Sequence, residues 1–152
     1  PIIVLLRQFV YNYIRLKNKE LKLLAVKSNG DVKLQAYERM TLFLDRIKPS
    51  NLVVKFDKNL EVHEFIFLLE KSISEEFEYN SSQQLYISKN SCENIVASKN
   101  NILQLMRKTY ENLNANASLQ DFKTVFLMNF VSGGDYISDT IEELRREALL
   151  LN

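Results

Sequence analysis

Only three glycines and two prolines occur in 152 residues, and this scarcity of chain breakers constrains the fold more than any other feature. Tight turns draw on Gly and Pro for backbone geometries that other residues adopt at a cost. A turn-dense β-sandwich or barrel is therefore excluded, and long helices joined by few connections are favoured. With 46% hydrophobic and 26% charged residues, the chain is built to bury a core and does not read as disordered. A compact monomer of this mass exposes on the order of 8,000 Å². A core of that size needs neither disulfide nor metal, and one Cys with one His cannot build a Cys/His zinc site.

Charge is spread unevenly. Residues 1–27 hold six basic side chains against Glu20 alone, while the other 125 carry a net charge of −4. The division into domains follows this shift: a basic amphipathic arm over 1–27 and a single helical domain over 28–152. The arm opens with the apolar run Pro1–Leu6, then Arg7, then the aromatics Phe9, Tyr11 and Tyr13, then Arg15, Lys17, Lys19 and Lys22. Six apolar residues do not cross a bilayer, which takes about 20. Two readings stand. In one, residues 1–6 end a membrane helix, with tyrosines at headgroup depth and Arg15, Lys17, Lys19 and Lys22 on the cytoplasmic side. In the other, residues 2–16 form an ordinary amphipathic helix that packs on the domain.

Helical periodicity dominates the remainder. Ser28-Asn29-Gly30-Asp31 reads as a stop followed by a restart. The stripe Tyr37, Met40, Phe43, Leu44 and Ile47 marks a helix that Pro49 ends. Residues 51–57 are the one β-flavoured stretch and are expected to form an extended connector, with Leu52, Val54 and Phe56 packing on helices. Val62, Phe65, Ile66, Leu69, Ile73 and Phe77 carry the next helix, flanked by glutamates. Leu85, Tyr86 and Ile87 are expected to return to the core. Ser88 or Ser91 caps a helix reaching about Leu113, with Ile95, Ile102, Met106 and Tyr110 inward. Ser118 with Asp121 resembles a capping box for a helix carrying Phe122, Phe126 and Phe130, which Gly133-Gly134 closes. A last helix runs from Asp135 to Leu151, with Ile137, Ile141, Leu144 and Ala148 as its seam. The fold class is all-α, a bundle of five or six helices with one extended connector.

Candidate chemistry is sparse. His63-Glu64 lacks the second His of a zinc protease. Cys92 has no His or Asp neighbour in sequence, although a helix start could lower its thiol pKa. Gly133-Gly134-Asp135 lacks the spacing and the Lys-Ser/Thr of a phosphate loop. Glu75, Glu76 and Glu78 point in different directions around a helix, a poor cage for a hard cation. No catalytic residue, cofactor site or metal site is assigned, and the domain reads as non-enzymatic. The interleaved cations and aromatics of the arm make a soluble nucleic-acid-binding module the alternative. No recognised nucleic-acid motif accompanies them, and the apolar content of residues 1–6 suits lipid or protein better.

Two blocks carry a resemblance. Gln35–Pro49, QAYERMTLFLDRIKP, and Glu75–Ser88, EEFEYNSSQQLYIS, resemble an uncharacterised Bacteroidota family built as one N-terminal transmembrane helix followed by a small helical cytoplasmic domain. The likeness covers about residues 20–113. The family pattern often has His where this chain has Tyr79. The resemblance brings no activity; it implies attachment to the cytoplasmic membrane with the domain on the cytoplasmic side. Glu38, Arg39, Asn80, Gln83 and Gln84 in the two blocks are expected to satisfy helix ends and the connector backbone; the alternatives are one buried hydrogen-bonded network, or a surface that faces a protein partner, a second copy included.

Overall fold

A computed structural model describes residues 2–150. It is all-α, with six α-helices and one 3-10 helix among the described residues: α1 (Ile2–Arg46), α2 (Pro49–Leu52), α3 (Val62–Tyr79), the 3-10 helix Ser81–Tyr86, α4 (Lys89–Glu111), α5 (Leu119–Gly133) and α6 (Tyr136–Leu149).

No proline falls between Ile2 and Lys48, and α1 runs unbroken for 45 residues, about 68 Å at 1.5 Å per residue. The expected break at Ser28–Asp31 does not occur. A glycine inside a helix costs only about 1 kcal/mol relative to Ala, and helix propagation on both sides of Gly30 outweighs it. The basic arm and the bundle therefore share one helix. Residues 2–29 are exposed throughout, and the buried stretch begins at Ala36. Of the two readings of the arm, the one in which residues 2–16 pack on the domain is thereby overturned. The chain exposes 10,642 Å², well above the ~8,000 Å² of a compact chain of its mass, and the projecting helix accounts for the excess in kind.

The C-terminal part of α1 lies along α6, and α4 runs against α3, α5 and α6. Ala36, Tyr37, Met40, Phe43 and Leu44 of α1 enter the core, followed by Ile47. Pro49 acts as the periodicity predicts: Lys48 before it is extended at ψ 137°. The extended connector over 51–57 is not formed. Pro49 starts a short helical turn, and with no second strand to supply a ladder the backbone closes on itself. Leu52 and Val53 N–H donate to Lys48 and Pro49 carbonyls at 3.0 Å each. Leu52 is buried, but Val54 is 77% exposed and Phe56 43% exposed. Phe56 has φ +64°, a left-handed conformation that is unusual for a bulky residue.

Leu85 and Tyr86 do not return to the core either. The 3-10 helix leaves Leu85 82% exposed, and only Ile87 beyond it is buried. On α4, Ile95, Ile102 and Met106 face inward as expected, whereas Tyr110 is exposed. Ser88 Oγ caps α4 by accepting from the Ser91 amide at 3.1 Å. The Ser118/Asp121 capping box is present on α5, and Gly134 leaves that helix at φ +86° and ψ 150°, a region open essentially to glycine alone.

Tyr136 opens α6 edge-on to Phe130, with centroids 5.5 Å apart. Its Oη is buried without a partner, and burial, aided by the Asp135 charge, pushes its pKa up to about 12. Tyr136→Phe removes an unsatisfied hydroxyl and is expected to raise stability at pH 7 by about 1 kcal/mol. In the wild type the unfolded tyrosine ionises near 10 while the folded one holds its proton to about 12. The contribution of neutral Tyr136 is thus full below pH 10 and lost as the pH rises through 12. Melting temperatures from pH 9 to 12.5 should fall less steeply for Tyr136→Phe; parallel curves would refute the assignment.

Candidate functional site

The projecting half of α1 presents its chemistry in axial order. Ile2–Leu6 are exposed apolar side chains, Arg7 and then Phe9, Tyr11 and Tyr13 follow, and Arg15, Lys17, Lys19 and Lys22 come next, interleaved with and followed by exposed Leu16, Leu21, Leu23, Leu24 and Val26. At about 100° per residue, Leu6, Tyr13 and Leu24 lie on the side of α1 opposite Met40, which faces the core. Val4 and Tyr11 lie on the Met40 side, so exposed apolar side chains surround the projecting half and form no single face; they are uncovered because that half extends beyond the bundle. The five predicted cations divide. Arg15, Lys19 and Lys22 flank one shallow groove with Tyr11, Ile14 and Asn18. Arg7 sits among Ile2, Ile3, Leu6 and Val10. Lys17 Nζ pairs with Glu20 Oε2 at 3.0 Å and lies 6.0 Å from the Tyr13 ring centroid. Among the described residues, no helix is long and apolar enough to cross a membrane.

Glu38, Arg39, Asn80, Gln83 and Gln84 are not joined to one another by side-chain hydrogen bonds among the described residues. Glu38 is exposed and Arg39 half-buried. Asn80 is buried and closes α3, its Nδ2 donating to Glu76 O at 2.9 Å and its own carbonyl accepting from the Gln83 amide at 3.0 Å. The Gln83 side chain reaches Ser82 Oγ at 3.5 Å, and the Gln84 carbonyl accepts from Cys92 Sγ at 3.7 Å. No shared network forms among the described residues; Asn80 satisfies the end of α3 locally. Around them the 3-10 helix displays Leu85, with Tyr79 and Tyr86 also exposed.

Two carboxylates on α6 organise a polar seam that periodicity alone does not single out. Glu147 accepts from Tyr37 Oη at 3.0 Å and from Ser88 Oγ at 2.8 and 2.9 Å. One turn earlier, Glu143 accepts from the amides of Asn90 and of Asn94, the latter at 2.6 Å. The i, i+4 spacing of Glu143 and Glu147 on the helix flank was the available signal; their partners lie 49 to 110 residues away in sequence. Burial foremost, then hydrogen bonding to Glu147, raises the Tyr37 pKa. Burial also raises the Cys92 thiol pKa, with Glu147 and Glu93 adding to it. The position near the start of α4 therefore does not activate this thiol, since nearby carboxylates oppose ionisation.

The remaining candidates are placed as surface features. His63 is exposed on the first turn of α3. Glu76 pairs with Arg46 at 2.6 Å and Glu75 with Lys71 at 3.9 Å. Among the described residues, no group of three or more His, Cys, Asp or Glu is arranged to hold a metal ion. Gly134 serves as a helix terminator, and Asp135 caps α6 by accepting from the Ser138 amide at 2.9 Å.

Fold and surface together define an all-α bundle that carries one long projecting helix with an uncovered apolar and basic half. The chain belongs to a family of unknown function, DUF7935, whose model matches residues 2–150. That match extends beyond the span over which the two sequence blocks carry a likeness. No curated protein and no solved structure matches the chain.

Proposed function

We propose that this chain is a non-enzymatic helical domain that is held at the cytoplasmic face of a membrane through α1 and acts by binding protein partners. The observation that carries the reading is the continuous exposure of residues 2–29, where an apolar end gives way to aromatics and then to cations along one helix. That order matches the passage from acyl chains through headgroups to an anionic lipid surface. Each basic residue near such a surface adds about 1 kcal/mol of attraction. Because the bundle covers none of residues 2–29, their apolar side chains are all open to lipid. Exposed Tyr79, Leu85 and Tyr86 beside Gln83, Gln84 and Arg39 offer a surface of mixed apolar and hydrogen-bonding character, the composition of protein-binding patches.

Sedimentation with phosphatidylserine-containing vesicles tests the membrane half. The full chain is expected to pellet with vesicles and to stay partly bound at high salt, and the chain lacking residues 1–27 to remain in the supernatant. Arg15→Gln combined with Lys22→Gln should weaken binding about thirtyfold at low salt and leave the melting temperature unchanged. Absence of pelleting by the full chain would overturn the membrane reading. Binding to single-stranded RNA, falling steeply with log salt, would favour the nucleic-acid alternative.

A further inference from the structure

A second surface lies on the bundle itself, between the turn that follows α2 and the outer side of α5. Val53, Val54 and Phe56 form one wall and Leu119 and Leu127 the other, enclosing about 380 Å³. Lys58 and Lys123 stand at its margin with Gln120, and no carboxylate lines it. Among the described residues neither lysine makes an ion pair. Lys123 Nζ is held 4.8 Å from the Phe65 ring centroid, and Phe56 packs edge-on against that ring at 6.4 Å. Asp57, next to Lys58 in sequence, accepts from the Asn59 amide at 3.0 Å. The left-handed backbone at Phe56 keeps its ring at the rim, partly exposed, where a tucked aromatic would be the ordinary outcome.

We propose that this groove docks a short peptide segment of a partner protein, one or two large apolar side chains entering between Phe56 and Leu127 and adjacent carboxylates meeting Lys58 and Lys123. The apolar walls supply burial, and the two ammonium groups, uncompensated by any lining carboxylate, select an acidic segment over a basic one. The proposal rests on the protein-binding half of the function proposed above and is independent of the membrane half.

Panning a random peptide display library on the immobilised full chain, with Lys58→Glu/Lys123→Glu as the counter-selection, tests it. Enriched peptides are expected to place Asp or Glu beside Leu, Ile, Phe or Met. A synthetic copy of the leading peptide should bind the wild type at least tenfold more tightly than the double variant. Phe56→Gly should weaken the same peptide while the chain keeps its helical circular dichroism, since glycine accepts the left-handed backbone and offsets part of the packing lost against Phe65. Peptides without carboxylates, equal binding to the double variant, or no enrichment at all would each overturn the proposal. So would loss of vesicle binding by Lys58→Glu/Lys123→Glu with no peptide selected, which assigns the two lysines to lipid. The deletion of residues 1–27 reports separately on the membrane reading.

Discussion

Replacing Phe122 by alanine is expected to lower the unfolding free energy by about 3–5 kcal/mol, the range for a fully buried phenylalanine. Phe122 is completely buried and joins α5 to α3. Its ring stacks on Phe126 at 5.7 Å with an interplanar angle of 10° and meets Phe65 nearly edge-on at 6.2 Å. Phe65 in turn meets Phe56, so one truncation opens a cavity in a run of four rings. Domains are stable by only about 5–15 kcal/mol, and the loss would consume much of that margin. Urea denaturation should show a lower midpoint at an unchanged slope. A shift below about 1 kcal/mol would mean that α5 is not seated on α3 as described.

That aromatic run was half legible in the sequence. Phe122, Phe126 and Phe130 recur at four-residue spacing, so their helix and its buried face follow from periodicity alone. Their partner Phe65 also declared itself on the α3 stripe. What periodicity does not carry is which stripe meets which, because ridge-into-groove packing depends on helix order and crossing, not on the pattern within either helix. Three segments depart from their local pattern, each for its own reason. Gly30 looks like a terminator, but a single glycine cannot stop a helix whose flanks both propagate. Residues 51–57 look extended because Val, Val and Phe favour strands, yet β-propensity acts only where a neighbouring strand exists. Leu85 looks like core because it is apolar, and an apolar residue on the surface breaks no rule.

The candidate surfaces were legible to a different degree. The basic and apolar residues of 2–22 are explicit in the sequence, and the structure adds that no part of the bundle covers them. The groove beside Phe56 could not be read at all. It depends on a left-handed turn that no local signal announces, since the residue adopting it is neither Gly nor Asn.

The polar seam on α6 gives the second large effect. Glu147→Ala is expected to cost about 2–3 kcal/mol, because it strands the hydroxyl of Tyr37, a residue only 6% exposed, and releases Ser88 from its side-chain acceptor. Ser88 lies at the edge of the core and can turn to water, so most of the loss belongs to Tyr37. Glu147→Gln keeps an acceptor oxygen and should recover more than half of the difference, giving up mainly the charge-assisted part of the bond. Tyr37→Phe, alone and combined with Glu147→Ala, completes a double-mutant cycle. A coupling energy of about 1–2 kcal/mol is expected between them, as for residues in direct contact. The stranded hydroxyl is absent from the double variant, so adding Tyr37→Phe to Glu147→Ala should restore stability instead of lowering it further. Strictly additive losses would show that the 3.0 Å contact does not hold α1 to α6. Since α1 is the helix that projects from the bundle, that junction fixes how the exposed half of the helix is carried.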